Sequence, residues 1–412
     1  MVGDRLKALW VTPHLPDPQR GGGWSTEYEF LRLAARRHDV TLLCGGLRAG
    51  ETTPALAALD VEVRPVPWDL RRFPPNRIAH LWRLATVDGM VEFWQKQEAR
   101  DNLSTAVRQA ETEHDYDLVQ VLLGEMAPVI EATRAPTALF LFDVYTRHLG
   151  RLSTQAEAPR HRFMWAVERR KVERWERRWY PKADTIACVS EVDAGALKTL
   201  LPGRTPSVIP LPIPDEFFEE PDRPRRNNAV ALISTLDYGP NIDAAVWFVN
   251  DIWPRISAQI PEATLDVVGR SPGDEVRGAV RQPGVELHAD VPDARPYYWE
   301  AAVSVIPVRL GGGMRNKVLH AMATNAPIVT TTAAIEGIGI RDEEHVVLAD
   351  EPGDFADAVV RVLRDPEGTR ARAARARQFA EVFNGDAIGE LLDRWWRDTA
   401  ALRTRSAHRD SH

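Results

Sequence analysis

The chain has 412 residues, a net charge of −7, 44% hydrophobic and 27% charged residues. That composition describes folded domains with full cores, and its acidic balance excludes a general nucleic-acid binder, which needs a basic surface against the phosphate backbone. No apolar run reaches the ~20 residues that span a bilayer; the short strand at 8–11 meets Pro13 too soon for a signal peptide, and Cys44 and Cys188 show no metal spacing, so a cytoplasmic protein with buried thiols is expected.

Short apolar runs alternate with helical patterns from end to end, which predicts an α/β chain of parallel sheets flanked by helices. In the first half, strands are expected at 7–12, 39–44, 61–66, 117–123, 137–142, 183–189 and 207–211. Behind the first lies PHLPDPQRGGG, with His14 and the glycines Gly21, Gly22 and Gly23. A helix is expected to start after them at Thr26, which has Glu29 in capping-box spacing. The glycines then read as a loop whose backbone approaches a ligand, or as a plain flexible connection.

The run TALFLFD ends in Asp143. A carboxylate at the carboxyl end of a parallel strand faces a ligand crevice, or else caps the following turn. Tyr145, Arg147 and His148 follow it closely. Residues 161–180 place Trp165, Val172, Trp175 and Trp179 near helical spacing among many cations. Such a helix is able to touch a membrane surface. Glutamates interleave with the cations, however, and pairing of Glu173 with Arg169 and Arg177 favours a helix packed on its own domain.

Prolines and acidic residues at 210–224 interrupt the pattern, which marks the domain boundary. A second series of strands is expected at 228–234, 263–269, 285–288, 303–308, 327–332 and 345–350, and helices at 366–383 and 386–402. The tail 403–412 reads as frayed. Residues 303–338 carry the most chemistry. An apolar strand runs into Gly311, Gly312 and Gly313, and a helix is expected to begin near Met314 with Arg315 and Lys317 in its first turn. Unpaired N–H groups, the helix dipole and two cations together read as a diphosphate cradle, or else as an ordinary strand-to-helix turn with solvated cations. Neither GGLRAG at 45–50 nor GGGMRN at 311–316 is G-x-G-x-x-G, so nicotinamide chemistry is not expected.

This segment, taken with 183–190 (ADTIACVS) and Glu191, 237–248 (DYGPNIDAAVWF), 267–272 (VVGRSP) and 291–298 (VPDARPYY), resembles the retaining GT-B glycosyltransferases. The likeness is to the family 4-like, group 1 branch with a GGG-x-R-x-K-x-L-x-A-M-A donor segment. It covers nearly the whole chain and is strongest from about Ala183 to Asp357. The resemblance implies two doubly wound Rossmann-like domains facing a cleft: an acceptor-binding domain at 1–212 and a nucleotide-sugar-binding domain at 213–385. Residues 386–412 would cross back to the first domain and pack Trp395 and Trp396 at the hinge.

The implied activity is transfer of a hexose-like unit from a nucleotide diphosphate sugar to a small-molecule or lipid-linked acceptor. No cofactor beyond that co-substrate and no metal are expected. By resemblance, Asp143, Arg315 and Lys317 are the catalytic candidates, and His14, Tyr145 and Arg147 lie on the acceptor side. Gly22, Gly23, Thr235, Arg270, Val291, Gly311, Gly312, Gly313, Met314 and His320 would bind the donor. Loops 13–25, 68–90, 143–160 and 287–293 would set specificity.

Two departures from the family pattern stand out. Ala289-Asp290 replaces a Gly-Phe pair near the base. His320 stands where a glutamate is expected on the ribose, with Gly312 at the earlier glutamate position; a neutral imidazole accepts one hydrogen bond where a carboxylate accepts two. A catalytically silent relative that binds a glycan, a nucleotide or a partner is therefore the competing reading, and the retained cradle weighs against it.

Overall fold

The computed structural model describes residues 4–45, 52–70, 89–155, 158–219, 221 and 224–409. Most of the expected 68–90 loop and residues 156–157 of the 143–160 loop lie outside these. The chain divides into two compact units, residues 1–210 with 388–412, and residues 211–387.

The first unit holds a seven-stranded parallel sheet: β1 (Lys7–Thr12), β2 (Asp39–Gly45), β3 (Val61–Val66), β4 (Leu118–Leu122), β5 (Thr137–Leu141), β6 (Thr185–Cys188) and β7 (Ser207–Val208), in the order β3-β2-β1-β4-β5-β6-β7. The second holds a six-stranded one: β8 (Ala229–Ile233), β9 (Thr264–Gly269), β10 (Val285–Ala289), β11 (Val303–Ile306), β12 (Ile328–Thr330) and β13 (Val347–Leu348), ordered β10-β9-β8-β11-β12-β13. Helices cover both faces, so the central strands read as unbroken apolar runs rather than alternating ones. Ala8 to Val11 are fully buried and sit in register with β2 on one side and β4 on the other.

All thirteen expected strands are present, but several are shorter than their apolar runs. β7 and β13 keep two residues each. Both are edge strands with a single neighbour, and Pro210 and Pro212 leave β7 no donors with which to continue.

The helix Gly385–Arg409 starts in the second unit and belongs to the first from Ile388 onward. Its tryptophans are core residues of the first unit, which replaces the expected hinge packing. Trp396 is fully buried with its edge to Trp10, and Trp395 meets Phe140. In the second unit, the largely buried Arg225 guanidinium donates to four backbone carbonyls, those of Tyr298, Ala301, Thr324 and Asn325. It thereby fastens the ends of two helices, with no carboxylate partner among the described residues.

Among the described residues of the first unit, Glu27 and Glu176 are buried carboxyls without a cationic partner. Glu27 lies under β1 and accepts from Trp10 Nε1 at 3.3 Å; burial pushes its pKa up to about 8, against the opposing bonds from Thr12 and Trp10. Burial likewise raises Glu176 to about 7, although Thr146 donates to it. A carboxyl whose folded pKa exceeds its unfolded one stabilises the fold fully below the unfolded value and loses that contribution as pH rises through the folded value. Stability should therefore fall from about pH 5 to pH 8. Glu27→Gln is expected to flatten that slope, retaining about 1 kcal/mol or more at pH 8 relative to the wild-type protein. Denaturant midpoints across this range would test it, and an unchanged slope would show that Glu27 does not ionise there.

Candidate functional site

The strand order of the second sheet reverses between β8 and β11, so their carboxyl ends open a crevice, the place where doubly wound sheets take ligands. From β11 the chain passes Val308 and turns through Gly311 (φ 86°) and Gly313 (φ 84°), left-handed conformations that glycine adopts without penalty. At Gly311 a Cβ would also stand 3.2 Å from the Arg315 guanidinium. The helix then begins at Asn316, not at Met314. Arg315 occupies the extended cap position and returns Nη2 to the Leu310 carbonyl at 3.0 Å, closing the turn over itself. Met314 and Arg315 thus precede the helix, and the extended Arg315 leads into the first amides of 316–323.

Lys317 reaches across to β8. Its Nζ donates to Ser234 Oγ at 2.6 Å and Asn241 Oδ1 at 2.7 Å, while Asn241 Nδ2 donates to the Thr235 carbonyl at 2.8 Å. Both oxygens are neutral, and no ion pair involves Lys317 among the described residues. Burial, and then the neighbouring Arg315, lower its pKa to about 7. A lysine placed among neutral acceptors beside a second cation is poised for an anion.

Gly269 ends β9 so close to β8 that a Cβ there would fall on the Ser234 carbonyl oxygen. That contact carries Arg270 beside the crevice, where its carbonyl accepts from Leu236 N at 2.9 Å. The Ala289-Asp290 departure has a structural reason: Asp290 is left-handed (φ 54°), and its carboxylate accepts from Ser271 N at 2.8 Å. This bond locks the turn after β9 to the loop that starts at Val291. His320 stacks on Phe217 with ring centroids 3.9 Å apart, and burial holds its pKa near 3, so the imidazole is neutral.

In the first unit the order reverses between β1 and β4. His14 follows β1 with its ring against Trp24, and burial, then Lys96, bring its pKa to about 4. Glu125 follows β4, fully buried, paired to Lys96 at 2.7 Å and accepting from Tyr145 Oη at 2.9 Å. Burial pushes this carboxyl up, but Lys96 overcomes that and holds it below the usual range. Burial and then Glu125 keep the Tyr145 hydroxyl protonated.

Asp143 is exposed two residues past β5 and bears electrostatically on both Tyr145 and Tyr180. Arg147 turns away and pairs with Asp193 at 3.0 Å. His14, Asp143 and Tyr145 therefore gather around Glu125, and Arg147 does not join them.

Gly22 and Gly23 are not in a loop. The helix starts at Gly22, four residues before the expected Thr26, whose hydroxyl instead donates back to the Gly22 carbonyl. Nothing among the described residues lies within 4 Å of a Cβ at either glycine, so the space on their side-chain side is open.

Asn241, Lys96 and Glu125 escaped the sequence reading. Isolated polar residues carry no spacing signal, and only the fold brings Asn241 to Lys317 and Lys96 to Glu125. Asp266, Glu286 and His288 form a possible cation-binding group on β9 and β10. There Asp266 already bonds the Arg226 guanidinium and His288 Nε2. An Asp-x-Asp spacing at Asp115 and Asp117 lies at the amino end of β4, where Asp117 accepts from Lys7 N.

Residues 227–365 match the family described as Glycosyl transferases group 1. Over 163 residues the chain is 23% identical to an uncharacterized 44.6 kDa protein in the cps region of Klebsiella pneumoniae, an alignment covering 38% of this chain and 42% of that one. The chain thus spans about two fifths of the length of this curated relative. Sucrose-phosphate synthase from Thermosynechococcus elongatus superposes with a TM-score of 0.70 at 16% identity, over 97% of this chain and 100% of that one.

A TarM variant from S. aureus, solved with fondaparinux, alpha-GlcNAc-glycerol and UDP, gives 0.69 at 10% identity over 95% and 100% of the two chains. HepE from Anabaena, solved with UDP and glucose, gives 0.63 at 15% over 96% and 100%. At these identities the likeness is one of fold, and the fold is GT-B.

Proposed function

We propose that this GT-B chain, with its group 1 glycosyl transferase domain at residues 227–365, is a nucleotide-sugar-dependent glycosyltransferase. It moves a hexose-like unit from a nucleoside diphosphate sugar to a small-molecule or lipid-linked acceptor, with retention of configuration and no metal on the diphosphate. The observation that carries this reading is Lys317, a buried cation held by neutral oxygens at the β8/β11 switch point, with Arg315 and the 316–323 amides beside it. Neighbours with the same fold were solved with UDP. The two buried free thiols suit a reducing, cytoplasmic setting.

In the donor half, the glycine turn and helix start receive the diphosphate, and Arg315 and Lys317 stabilise the charge that develops on it as the glycosidic bond breaks. Binding raises the Lys317 pKa, so the lysine is charged when it is needed. The acceptor hydroxyl attacks from the same face, and the leaving phosphate takes its proton. Asp143, exposed beside the Glu125 cluster of the first unit, orients the acceptor.

Thermal unfolding with a panel of nucleoside diphosphates and their sugars tests this directly. Ligand at a hundred times its Kd adds ~2.7 kcal/mol. A shift with one nucleotide, absent in Arg315→Ala/Lys317→Ala, is expected. No shift with any of them would favour the catalytically silent relative.

His320 is expected to face the ribose with a single acceptor nitrogen. His320→Glu should tighten binding of the nucleoside diphosphate by about 1 kcal/mol, several-fold in Kd, because a carboxylate accepts from both hydroxyls. Unchanged binding in calorimetry would place the ribose elsewhere.

A further inference from the structure

The helix Pro159–Trp179 packs Val172 and Trp175 into the core of the first unit, with Trp165 and Trp179 against it, as its spacing predicts. The fate of its charges differs from the expected even interleaving. All three glutamates are withdrawn: Glu176 is fully buried, Glu168 pairs with the buried Lys171 at 2.9 Å, and Glu173 pairs with Arg177 at 3.0 Å. Every charged side chain on the helix that counts as exposed is an arginine, at positions 160, 162, 169, 170, 174, 177 and 178, and of these Arg177 is paired to Glu173.

Phe163, Arg170, Arg174 and Arg177 recur at a spacing that keeps them on one outward stripe. Phe163 is 73% exposed and Met164 45%, an unusual state for two large apolar side chains on one turn. Beside the stripe runs a groove of about 430 Å³ lined by Arg147, Arg151, Arg169 and Arg177 with Glu173, in which Arg147 is paired to Asp193 and Arg177 to Glu173. Arg169, Arg170 and Arg174 have no acidic partner among the described residues.

The geometry points to a peripheral docking face: we propose that the outward stripe of this helix binds an anionic lipid surface, with Phe163 entering the headgroup and acyl boundary. The overall charge of −7 would repel such a surface, so attraction has to be local, and a face stripped of its glutamates supplies it. No helix among the described residues is long and apolar enough to cross a membrane, so this contact lies in the interface plane. The proposal stands on the helix alone and does not depend on the transfer reading.

Co-sedimentation of the full chain with phosphatidylcholine vesicles, with and without phosphatidylglycerol, at low and high salt, tests it. Binding is expected only with phosphatidylglycerol and should weaken with salt. Arg170→Glu/Arg174→Glu should lose at least about a hundredfold in affinity, since each basic residue near the surface contributes about a factor of five. Phe163→Ser should remove the part that survives high salt. All three positions are exposed, so these variants should unfold at the wild-type temperature. Absence of binding to phosphatidylglycerol vesicles at low salt would overturn the proposal and leave the stripe to an acidic protein; full binding by the charge-reversed variant would overturn it equally.

Discussion

Replacing Lys317 with alanine will weaken nucleoside diphosphate binding about a hundredfold and slow any transfer by a similar factor, the scale for removing one buried charged partner or one preorganised donor at a developing charge. The loss comes with a pH signature. Free Lys317 is lowered to about 7 by burial and by Arg315. A bound diphosphate raises that value, so binding takes up a proton between the two. Wild-type affinity should therefore be greatest below about pH 7 and fall towards tenfold per pH unit above it, until the bound-state value is reached. Lys317→Ala should bind weakly and lose this dependence. Calorimetry in buffers of different ionisation enthalpy would read the proton directly. Wild-type binding that is flat from pH 7 to 9 would show that the lysine does not hold the phosphate.

Trp396→Ala should be the most destabilising truncation in the first unit. The ring is fully buried, meets Trp10 edge-on at 6.0 Å, and donates to Gln120 Oε1 at 2.7 Å. Deleting such a side chain costs about 3–5 kcal/mol in lost transfer energy and residual cavity. Leaving Gln120 Oε1 without its donor adds about 1–3 kcal/mol. Trp396→Phe keeps most of the packing and loses the bond, so it should cost about half as much. Differential scanning calorimetry would follow both. Equal losses in the two variants would show that the hydrogen bond outweighs the volume.

The central strands were legible because sheets buried on both faces demand continuous apolar runs, while the edge strands β3 and β10 mix polar residues and are only partly buried. Their ends were not legible. A run such as 303–308 stays apolar after the ladder stops at Ile306, because Val308 is still buried. The glycine turn and Lys317 were readable from local pattern and resemblance. The partner Asn241 was not, since it lies 76 residues away and meets Lys317 only through strand order. Gly22 and Gly23 were misplaced because Thr26 and Glu29 imitate a cap inside a helix already under way. The arginine face of 159–179 was hidden for a related reason: glutamates spread evenly along the sequence fall on the inner half of the helical circumference or beside a partner.

The Arg225 clamp has a mechanical consequence. It grips the Thr324 and Asn325 carbonyls at the tail of the helix whose head carries Lys317, and in the same grasp it holds the Tyr298 and Ala301 carbonyls at the end of the segment that follows Val291. A rod fastened at one end cannot slide along its axis. One guanidinium therefore ties the end of the Lys317 helix to the end of the 291–300 segment, and neither end shifts without loading the other.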